Sequence, residues 1–208
     1  MNKPKILLIG SGGHAIACTD VLEQEGKFHL LGYVGKEAQI KKNNYPYTLL
    51  GTDHDLQELA LTCPYALVGI GQIKTPNLRI SIFQKLLDVG FILPTIVSPF
   101  AYVSPRASIG PGTIVMHGAT INAGAVVGRN CIINSQANLD HEVTIGDHSH
   151  ISTGAIINGG VVVGHGSFVG SGSVIKQNIK LGSRVFIQMG SLIFKNIENQ
   201  NDYCDGEN

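Results

Sequence analysis

The chain has 208 residues, of which 26 are glycine and 43% are hydrophobic, and its formal net charge is zero. The balance of charge disfavours nucleic-acid binding through a general positive field, and the hydrophobic content excludes a disordered protein. Four scattered cysteines without a CxxC pair are typical of a reducing compartment. No apolar run approaches 18 residues. We therefore expect a cytoplasmic protein with neither a membrane span nor a nucleic-acid partner.

The first ninety residues alternate predicted strands and helices. Apolar runs predict three strands, at 5–9, 29–34 and 65–70. Helical spacing predicts three helices, at 15–24, 53–60 and 76–89. This alternation is typical of a small parallel α/β domain of the Rossmann-like kind. We place that domain at residues 1–97.

The first predicted strand ends in a glycine-rich turn, Gly10-Ser11-Gly12-Gly13-His14, directly before a helix. Backbone N–H groups at a helix N-terminus bind anions, so the turn predicts a phosphate site. The G-x-G-x-x-G spacing of dinucleotide-binding turns is incomplete because residue 15 is Ala, and no acidic residue ends the second strand. The turn therefore favours a nucleotide phosphate over NAD.

From Val103 to Ile193, every sixth residue is Val, Ile or Leu. A strict period of six is typical of a hexapeptide parallel β-helix, with three short strands in each coil of eighteen residues. We place this domain at residues 98–196 and a loose polar tail at 197–208. Two further series recur every eighteen residues and should stack along edges in left-handed backbone conformations. They are Gly110, Gly128, Gly146, Gly164 and Gly182, and Asn122, Asp140 and Asn158.

The repeat also predicts which residues are neighbours on successive coils. Asp140-His141-Glu142 should lie between Asn122-Ala123-Gly124 and Asn158-Gly159-Gly160, so His141 and Glu142 have almost no side chains above or below them. An open slot around an imidazole suits a general base, and an adjacent carboxylate can orient the ring. A solvent-exposed corner without a function is the alternative.

The remaining histidines do not predict a metal site. His117, His141 and His165 fall on three different edges, so one chain cannot gather them around an ion. His148 and His165 should lie nearly stacked, as a polar ladder or a weak ligand pair. His150 lies half a coil from His141, and the two could meet only across a subunit boundary. We therefore expect no bound metal.

Four features together resemble one known family. They are the turn Gly10-Ser11-Gly12-Gly13-His14, the segment Val68-Gly69-Ile70-Gly71 before a helix containing Arg79, the hexads, and Asp140-His141-Glu142. The chain resembles the bacterial nucleotide-sugar N-acetyltransferases that acetylate an amino sugar, and the related sialic acid O-acetyltransferases, over residues 4 to about 195. The resemblance implies a left-handed β-helix, a homotrimer, and acetyl-CoA bound between adjacent subunits.

The resemblance also implies roles for individual residues. The general base falls on His141, followed by Glu142. Acetyl-CoA contacts are implied for His150, Gly159, Ser171, Met189 and Gly190. Nucleotide-sugar contacts in the α/β domain are implied for Gly12, Gly13, His14, Gly71 and Arg79.

The sequence departs from the family pattern in two places. Many members end the second strand with paired acidic residues that bind the nucleotide, whereas this chain has Val34-Gly35-Lys36. Many also finish with a Gly-x-Pro-Ala-Lys-like segment beside the CoA adenine, whereas this chain has Phe194-Lys195-Asn196-Ile197. These departures leave open the nucleotide specificity and the adenine end of the CoA site.

The leading interpretation is direct acetyl transfer from acetyl-CoA to the amino group of a nucleotide-linked amino-deoxysugar, with His141 as general base. Two alternatives use the same residues differently: O-acetylation of a sialic-acid-like sugar, and a non-catalytic nucleotide-sugar-binding scaffold. A zinc carbonic anhydrase on a similar helix would need three histidines at spacings of about 36 and 5 residues, which this chain does not have.

Overall fold

The structure is a computed structural model and describes residues 3–36 and 47–198. Its N-terminal part contains strands β1 (Lys5–Ile9), β2 (His29–Val34), β3 (Leu49–Gly51) and β4 (Tyr65–Val68) and helices α1 (Gly13–Glu25), α2 (Leu56–Thr62) and α3 (Asn77–Val89). The strands form a parallel sheet, sheet I, in the order β3-β2-β1-β4. The predicted α/β domain is confirmed. Strand β3 was not predicted, because it is a three-residue edge strand without an apolar run.

Sheet I is covered on both faces, as expected for parallel strands with continuous apolar sequence. Alternate residues of β1 point to opposite faces. Leu7 and Ile9 pack with residues of α2 and α3, whereas Ile6 and Leu8 pack with α1 and with the β-helix. The same short strand therefore joins both halves of the protein. Among the described helices, none is long and apolar enough to cross a membrane.

The C-terminal part consists of two-residue strands in three parallel sheets. Sheet II contains β5 (Ile96–Val97), β8 (Ile114–Val115), β11 (Ile132–Ile133), β14 (His150–Ile151), β17 (Phe168–Val169) and β20 (Phe186–Ile187). Sheet III contains β6 (Tyr102–Val103), β9 (Thr120–Ile121), β12 (Asn138–Leu139), β15 (Ile156–Ile157), β18 (Val174–Ile175) and β21 (Leu192–Ile193). Sheet IV contains β7 (Ser108–Ile109), β10 (Val126–Val127), β13 (Thr144–Ile145), β16 (Val162–Val163) and β19 (Lys180–Leu181). This architecture is consistent with the predicted left-handed β-helix.

The β-helix extends slightly beyond the repeat that predicted it. Ile96–Val97 pairs with β8, and Val97 lies one hexad before Val103. At the other end, Ile197 is buried and its backbone bonds to Lys180 and Gly182. The first residue of the predicted loose tail therefore belongs to the β-helix, and residues 199–208 of that tail lie outside the described residues.

The aliphatic residue of each hexad points into the β-helix and forms its core. Val115, Ile121, Val127 and Ile133 are examples, each at most 2% exposed. Burial of one such side chain contributes roughly 1.5–3 kcal/mol. Cys131 occupies the small position of its hexad in the same core, and burial raises the pKa of its thiol to about 11. A thiol in that position is a poor nucleophile.

The glycines recurring from Gly110 to Gly182 stack along the edge between sheets IV and II, but their predicted left-handed conformation is wrong. The left-handed residues on this edge stand two positions later, and include Asn130 and His148 with φ of 53° and 59°. A Cβ added to Gly146 would lie 2.6 Å from the backbone N of His165 on the next coil. The close approach of successive coils therefore requires these glycines.

The predicted left-handed conformation is also wrong for Asn122, Asp140 and Asn158, which lie on the edge between sheets III and IV. There too the left-handed residues stand two positions later, and one of them is Glu142 with φ of 58°. Asp140 Oδ1 instead accepts hydrogen bonds from Asn122 Nδ2 at 3.1 Å and from the His141 backbone N–H at 2.7 Å. The Asn and Asp side chains thus hold the turns in place.

The α/β domain covers the outer face of sheet II. Ile96, Ile114 and Ile132 share a core with β1 and α1. At the edge between sheets II and III, His117 bonds through Nε2 to Asp20 Oδ2 of α1 at 2.7 Å and through Nδ1 to Ser98 Oγ at 2.6 Å. The edge between sheets III and IV, which carries His141, is opposite the covered sheet.

We predict different losses of stability for two glycine-to-alanine substitutions, one at a left-handed position and one where two coils approach closely. Gly154→Ala should destabilise by about 1 kcal/mol, because Gly154 has a φ of 65° and no atom within 4 Å of an added Cβ. Gly146→Ala should destabilise by about 3 kcal/mol, because the coils must move apart. Thermal unfolding followed by circular dichroism measures both, and an equal or reversed order would contradict the close-approach explanation.

Candidate functional site

A cleft of about 430 Å³ lies at the carboxyl ends of the strands of sheet I, where open parallel α/β sheets bind their ligands. Its wall includes four of the predicted residues, Gly12, Gly13, His14 and Gly71. Gly12 is the N-cap of α1, and no side chain caps that helix. The N-terminus of α1 therefore presents backbone N–H groups at the cleft, an arrangement suited to an anion.

His14 is a neutral imidazole in the wall of this cleft. Burial is the main cause, and the charges of Arg79 and His150 add to it, so that the pKa of His14 is lowered to about 3. Its Nε2 atom is buried and has no hydrogen-bond partner among the described residues. An unpaired nitrogen of this kind is costly and is typical of a group that meets a ligand or a bound water molecule.

Arg79 lies behind the cleft wall. It is 1% exposed, and its Nη1 atom donates to the carbonyls of Val68 and Ile70, both at 2.8 Å. Its Nε atom donates to the carbonyl of Asn130 in the β-helix at 3.2 Å. These bonds position the segment that ends at Gly71 and tie α3 to the β-helix. Its Nη2 atom is buried and has no hydrogen-bond partner among the described residues, so the implied contact of Arg79 with the nucleotide sugar stays a prediction.

His150 lies on the outer face of sheet II, under the α/β domain. Its strand neighbours are Ile132 and Phe168, as predicted. Its Nδ1 atom donates to the Gln72 carbonyl at 2.6 Å, and Nε2 accepts from Asn134 Nδ2 at 3.2 Å. Burial lowers the pKa of His150 to about 4. Both ring nitrogens are occupied within the chain, so its contact with acetyl-CoA stays a prediction.

His141 and Glu142 project from the edge between sheets III and IV, with side chains 61% and 77% exposed. His141 Nδ1 lies 3.4 Å from Glu142 Oε2. A Cβ added to Gly159 would lie 2.5 Å from His141 Nε2, so the imidazole occupies the gap that the sequence predicted above it. Gly159 is required for this ring position.

The backbone of Glu142 is left-handed, as it is at five other non-glycine residues in the described turns of the β-helix. Its left-handed conformation is the one that Gly124 and Gly160 adopt one coil below and one coil above. A side chain at such a φ costs roughly 1–2 kcal/mol. The chain places a carboxylate beside His141 at a position where glycine costs less.

The other implied acetyl-CoA residues lie on a different edge, between sheets II and III. Ser171 Oγ bonds to Ser152 Oγ at 2.9 Å, and the backbone N–H of Gly190 donates to the Ser171 carbonyl at 2.8 Å. Met189 is exposed. Sheet III separates this group from His141, so a single chain does not bring the two groups together.

His148 and His165 lie on the edge between sheets IV and II, and the ring centroid of His148 lies 5.3 Å from that of Phe83 in α3. The rings of His148 and His165 lie 5.1 Å apart, as predicted, and His148 Nδ1 bonds to Asn130 Nδ2 at 2.8 Å. Within residues 3–36 and 47–198, no group of three or more His, Cys, Asp or Glu side chains is placed to hold a metal ion.

Comparison with known families agrees with this two-part organisation. Residues 5–86 match the PglD N-terminal domain, and residues 106–141 and 142–177 each match the bacterial transferase hexapeptide (six repeats). The chain therefore has a PglD-type N-terminal domain joined to hexapeptide repeats. Among curated proteins, none matches this chain.

Several solved structures are similar to nearly the whole length of this chain. The acetyltransferase domain of PglB from Neisseria gonorrhoeae, in complex with acetyl coenzyme A, is 28% identical with a TM-score of 0.87, covering 96% of this chain and 95% of that one. PerB from Caulobacter crescentus, in complex with CoA and GDP-perosamine, is 28% identical with a TM-score of 0.87, covering 94% and 91%. A variant of perosamine N-acetyltransferase from Caulobacter crescentus is 27% identical with a TM-score of 0.86, covering 93% and 90%.

Sequence reasoning missed Asp53, which lines the cleft. The sequence predicts that Asp53 belongs to the first turn of a helix at 53–60, but α2 begins at Leu56. Asp53 therefore lies in the turn between β3 and α2, at the carboxyl edge of sheet I. No motif marks such a residue, because its position depends on a short strand that the sequence did not reveal.

We predict that the protein loses stability as the pH falls below about 6.5. The pKa values of His14, His148 and His150 are lowered in the folded state to about 3, 4 and 4, mainly by burial. Between these values and 6.5 the unfolded chain binds protons that the folded chain does not, so stability rises with pH in this range. Urea unfolding at pH 5.5 and 6.5 measures the difference.

His148→Asn should reduce the slope of the unfolding free energy against pH by up to the contribution of one bound proton, because it removes one of the three buried imidazoles. His29→Asn changes an exposed histidine and is the control. Equal unfolding free energies at the two pH values in the unsubstituted protein would contradict the lowered pKa values.

Proposed function

We propose that the protein transfers the acetyl group of acetyl-CoA to the amino group of a nucleotide-linked amino-deoxysugar. The observation that carries this proposal is the full-length similarity to the PglB acetyltransferase domain bound to acetyl coenzyme A and to PerB bound to CoA and GDP-perosamine. The anion-suited cleft and the exposed His141–Glu142 pair supply the two kinds of chemistry that such a reaction needs.

His141 acts as the general base in this proposal. Its Nδ1 faces Glu142, so the neutral ring carries its proton on Nδ1, and Nε2 accepts the proton of the attacking amine. The new N–C bond forms as the C–S bond of the thioester breaks, and the proton on His141 passes to the departing thiolate. A backbone N–H near the thioester stabilises the developing oxyanion. Cys131 is fully buried, so we propose direct transfer in a ternary complex without an acyl-enzyme.

The active site is assembled between subunits in this proposal. The cleft belongs to the domain that covers sheet II, whereas His141 lies on the opposite edge of the same chain. A nucleotide sugar held in one cleft therefore meets the His141 of a neighbouring subunit. The outer face of sheet III carries the exposed side chains of Tyr102, Ile156 and Leu192, which a second copy would cover. We propose a homotrimer, as the resemblance to the nucleotide-sugar N-acetyltransferases implies, in which one repeated interface closes into a ring.

We predict that His141→Ala lowers kcat by about a hundredfold or more, as expected for loss of a general base. Gly159→Ala should lower kcat as well, because its Cβ displaces the imidazole. Ala123→Gly is the matched control, since Ala123 occupies the same edge position one coil below His141 and its substitution leaves the ring in place. The measurement is CoA release with UDP-, GDP- and dTDP-linked amino sugars as acceptors.

Three results would contradict the proposal. Near-normal turnover by His141→Ala would remove the assigned base. Preferential acetylation of a free sialic-acid-like sugar in a competition assay would favour O-acetylation. Absence of acetyl-CoA binding in calorimetry would favour a non-catalytic scaffold that binds only the nucleotide sugar.

We predict that two inactive variants restore activity when they are co-expressed. Gly13→Glu puts a carboxylate into the anion-suited end of the cleft, where an added side chain meets no atom within 4 Å. Random mixing with His141→Ala chains gives about a quarter of the interfaces an intact cleft and an intact His141 from different chains. Recovery of about a quarter of the unsubstituted activity is therefore expected. No recovery in co-purified mixed oligomers would place both parts of the site in one chain.

A further inference from the structure

The strand order of sheet I gives the cleft a direction. β4 lies at one side, and the segment after it reaches Gln72, whose carbonyl contacts His150 of the β-helix. β1 and the N-terminus of α1 follow, and β2 and β3 lie at the far side. If the cleft holds a nucleotide sugar, as the proposed function states, the reacting sugar lies toward β4 and the diphosphate at α1. The nucleoside then extends toward β2 and β3.

The cleft has an apolar wall on the side of α3. Leu78 and Ile82 line the cleft and lie four residues apart on one face of α3. Leu78 is 59% exposed although it is a large aliphatic residue. An exposed apolar surface inside a cleft suits the flat face of a nucleobase.

Asp53 lines the same cleft, and hydrogen bonds hold its backbone in place. Lys85 Nζ of α3 donates to the Asp53 carbonyl at 2.7 Å. Asp55 Oδ2 accepts from the Thr52 backbone N–H at 2.7 Å, which closes the turn around Asp53. Among the described residues, none forms a hydrogen bond or an ion pair with the Asp53 carboxylate. A fixed backbone with an unengaged carboxylate fits a residue that recognises a ligand.

We propose that Asp53 recognises the nucleobase of the substrate and that it favours guanine. A carboxylate presents two acceptor oxygens side by side. Guanine presents two adjacent donors, N1–H and the N2 amino group, which match them. Uracil and thymine present a single N–H between two carbonyl oxygens, which a carboxylate repels. The Asp53 carboxylate thus distinguishes these bases, while Leu78 and Ile82 contact whichever base is bound.

The test is calorimetric titration of GDP, UDP and dTDP into the full-length protein, without acetyl-CoA. We expect GDP to bind most tightly. Asp53→Asn should weaken GDP binding roughly tenfold or more, because it removes hydrogen bonds to a charged acceptor, and should leave UDP and dTDP binding unchanged or tighter, because it removes the repulsion of their carbonyl oxygens. Asp88→Asn, the same change of charge on α3, is the control and should alter none of the three. Leu78→Ala should weaken all three.

Three results would overturn the inference. An equal effect of Asp53→Asn on GDP, UDP and dTDP would place the carboxylate on the ribose or the diphosphate, and no effect would place it outside the site. Failure of all three nucleotides to bind the unsubstituted protein would overturn the proposed function as well. Loss of acetyl transfer with intact, Asp53-dependent GDP selectivity would overturn only the transfer activity.

Discussion

Parallel pairing between strands eighteen residues apart is the constraint on which the rest of this protein depends. Each pairing brings a hexad aliphatic over the one eighteen residues before it, as Val127 and Ile145 show, and so builds one continuous core from two-residue strands. The same spacing presses the coils together at their edges. Glycine at positions such as Gly146 is the consequence, because a Cβ there would meet the backbone of the next coil.

The triangular cross-section of the three-sheet β-helix also determines which site residues one chain can bring together. The α/β domain occupies sheet II and is fastened at both of its edges, by His117 with Asp20 on one side and by Arg79 with Asn130 on the other. The third edge stays uncovered in the chain and carries His141. Separation of the cleft from the imidazole therefore follows from the triangular cross-section, and it is the physical reason to propose a shared site between subunits.

Buried polar groups at the domain junction explain several roles that the motifs alone did not distinguish. The resemblance implies ligand contacts for Arg79 and His150, and main-chain carbonyls inside the chain accept hydrogen bonds from Arg79 Nη1 and from His150 Nδ1. Their burial in the junction keeps His150 neutral and positions the segment ending at Gly71. His14 Nε2 and Arg79 Nη2 differ from these atoms, because each is buried without a hydrogen-bond partner in the described part of the chain. The presence or absence of a partner, which depends on how the domains pack, separates these cases.

Local pattern in the sequence was sufficient for the α/β domain, the β-helix and the neighbours of His141, because strand pairing at a constant interval converts sequence spacing directly into distance. Backbone conformation at the edges was not predictable in this way. Gly110 and Asn122 have residue types that suit left-handed angles, but Glu142 and His148 adopt those angles instead, because position in the turn outweighs residue preference. Contacts between domains were also beyond the sequence. The burial of Arg79 and the position of Asp53 in the cleft arise from segments far apart in the chain, and only their packing in three dimensions decided them.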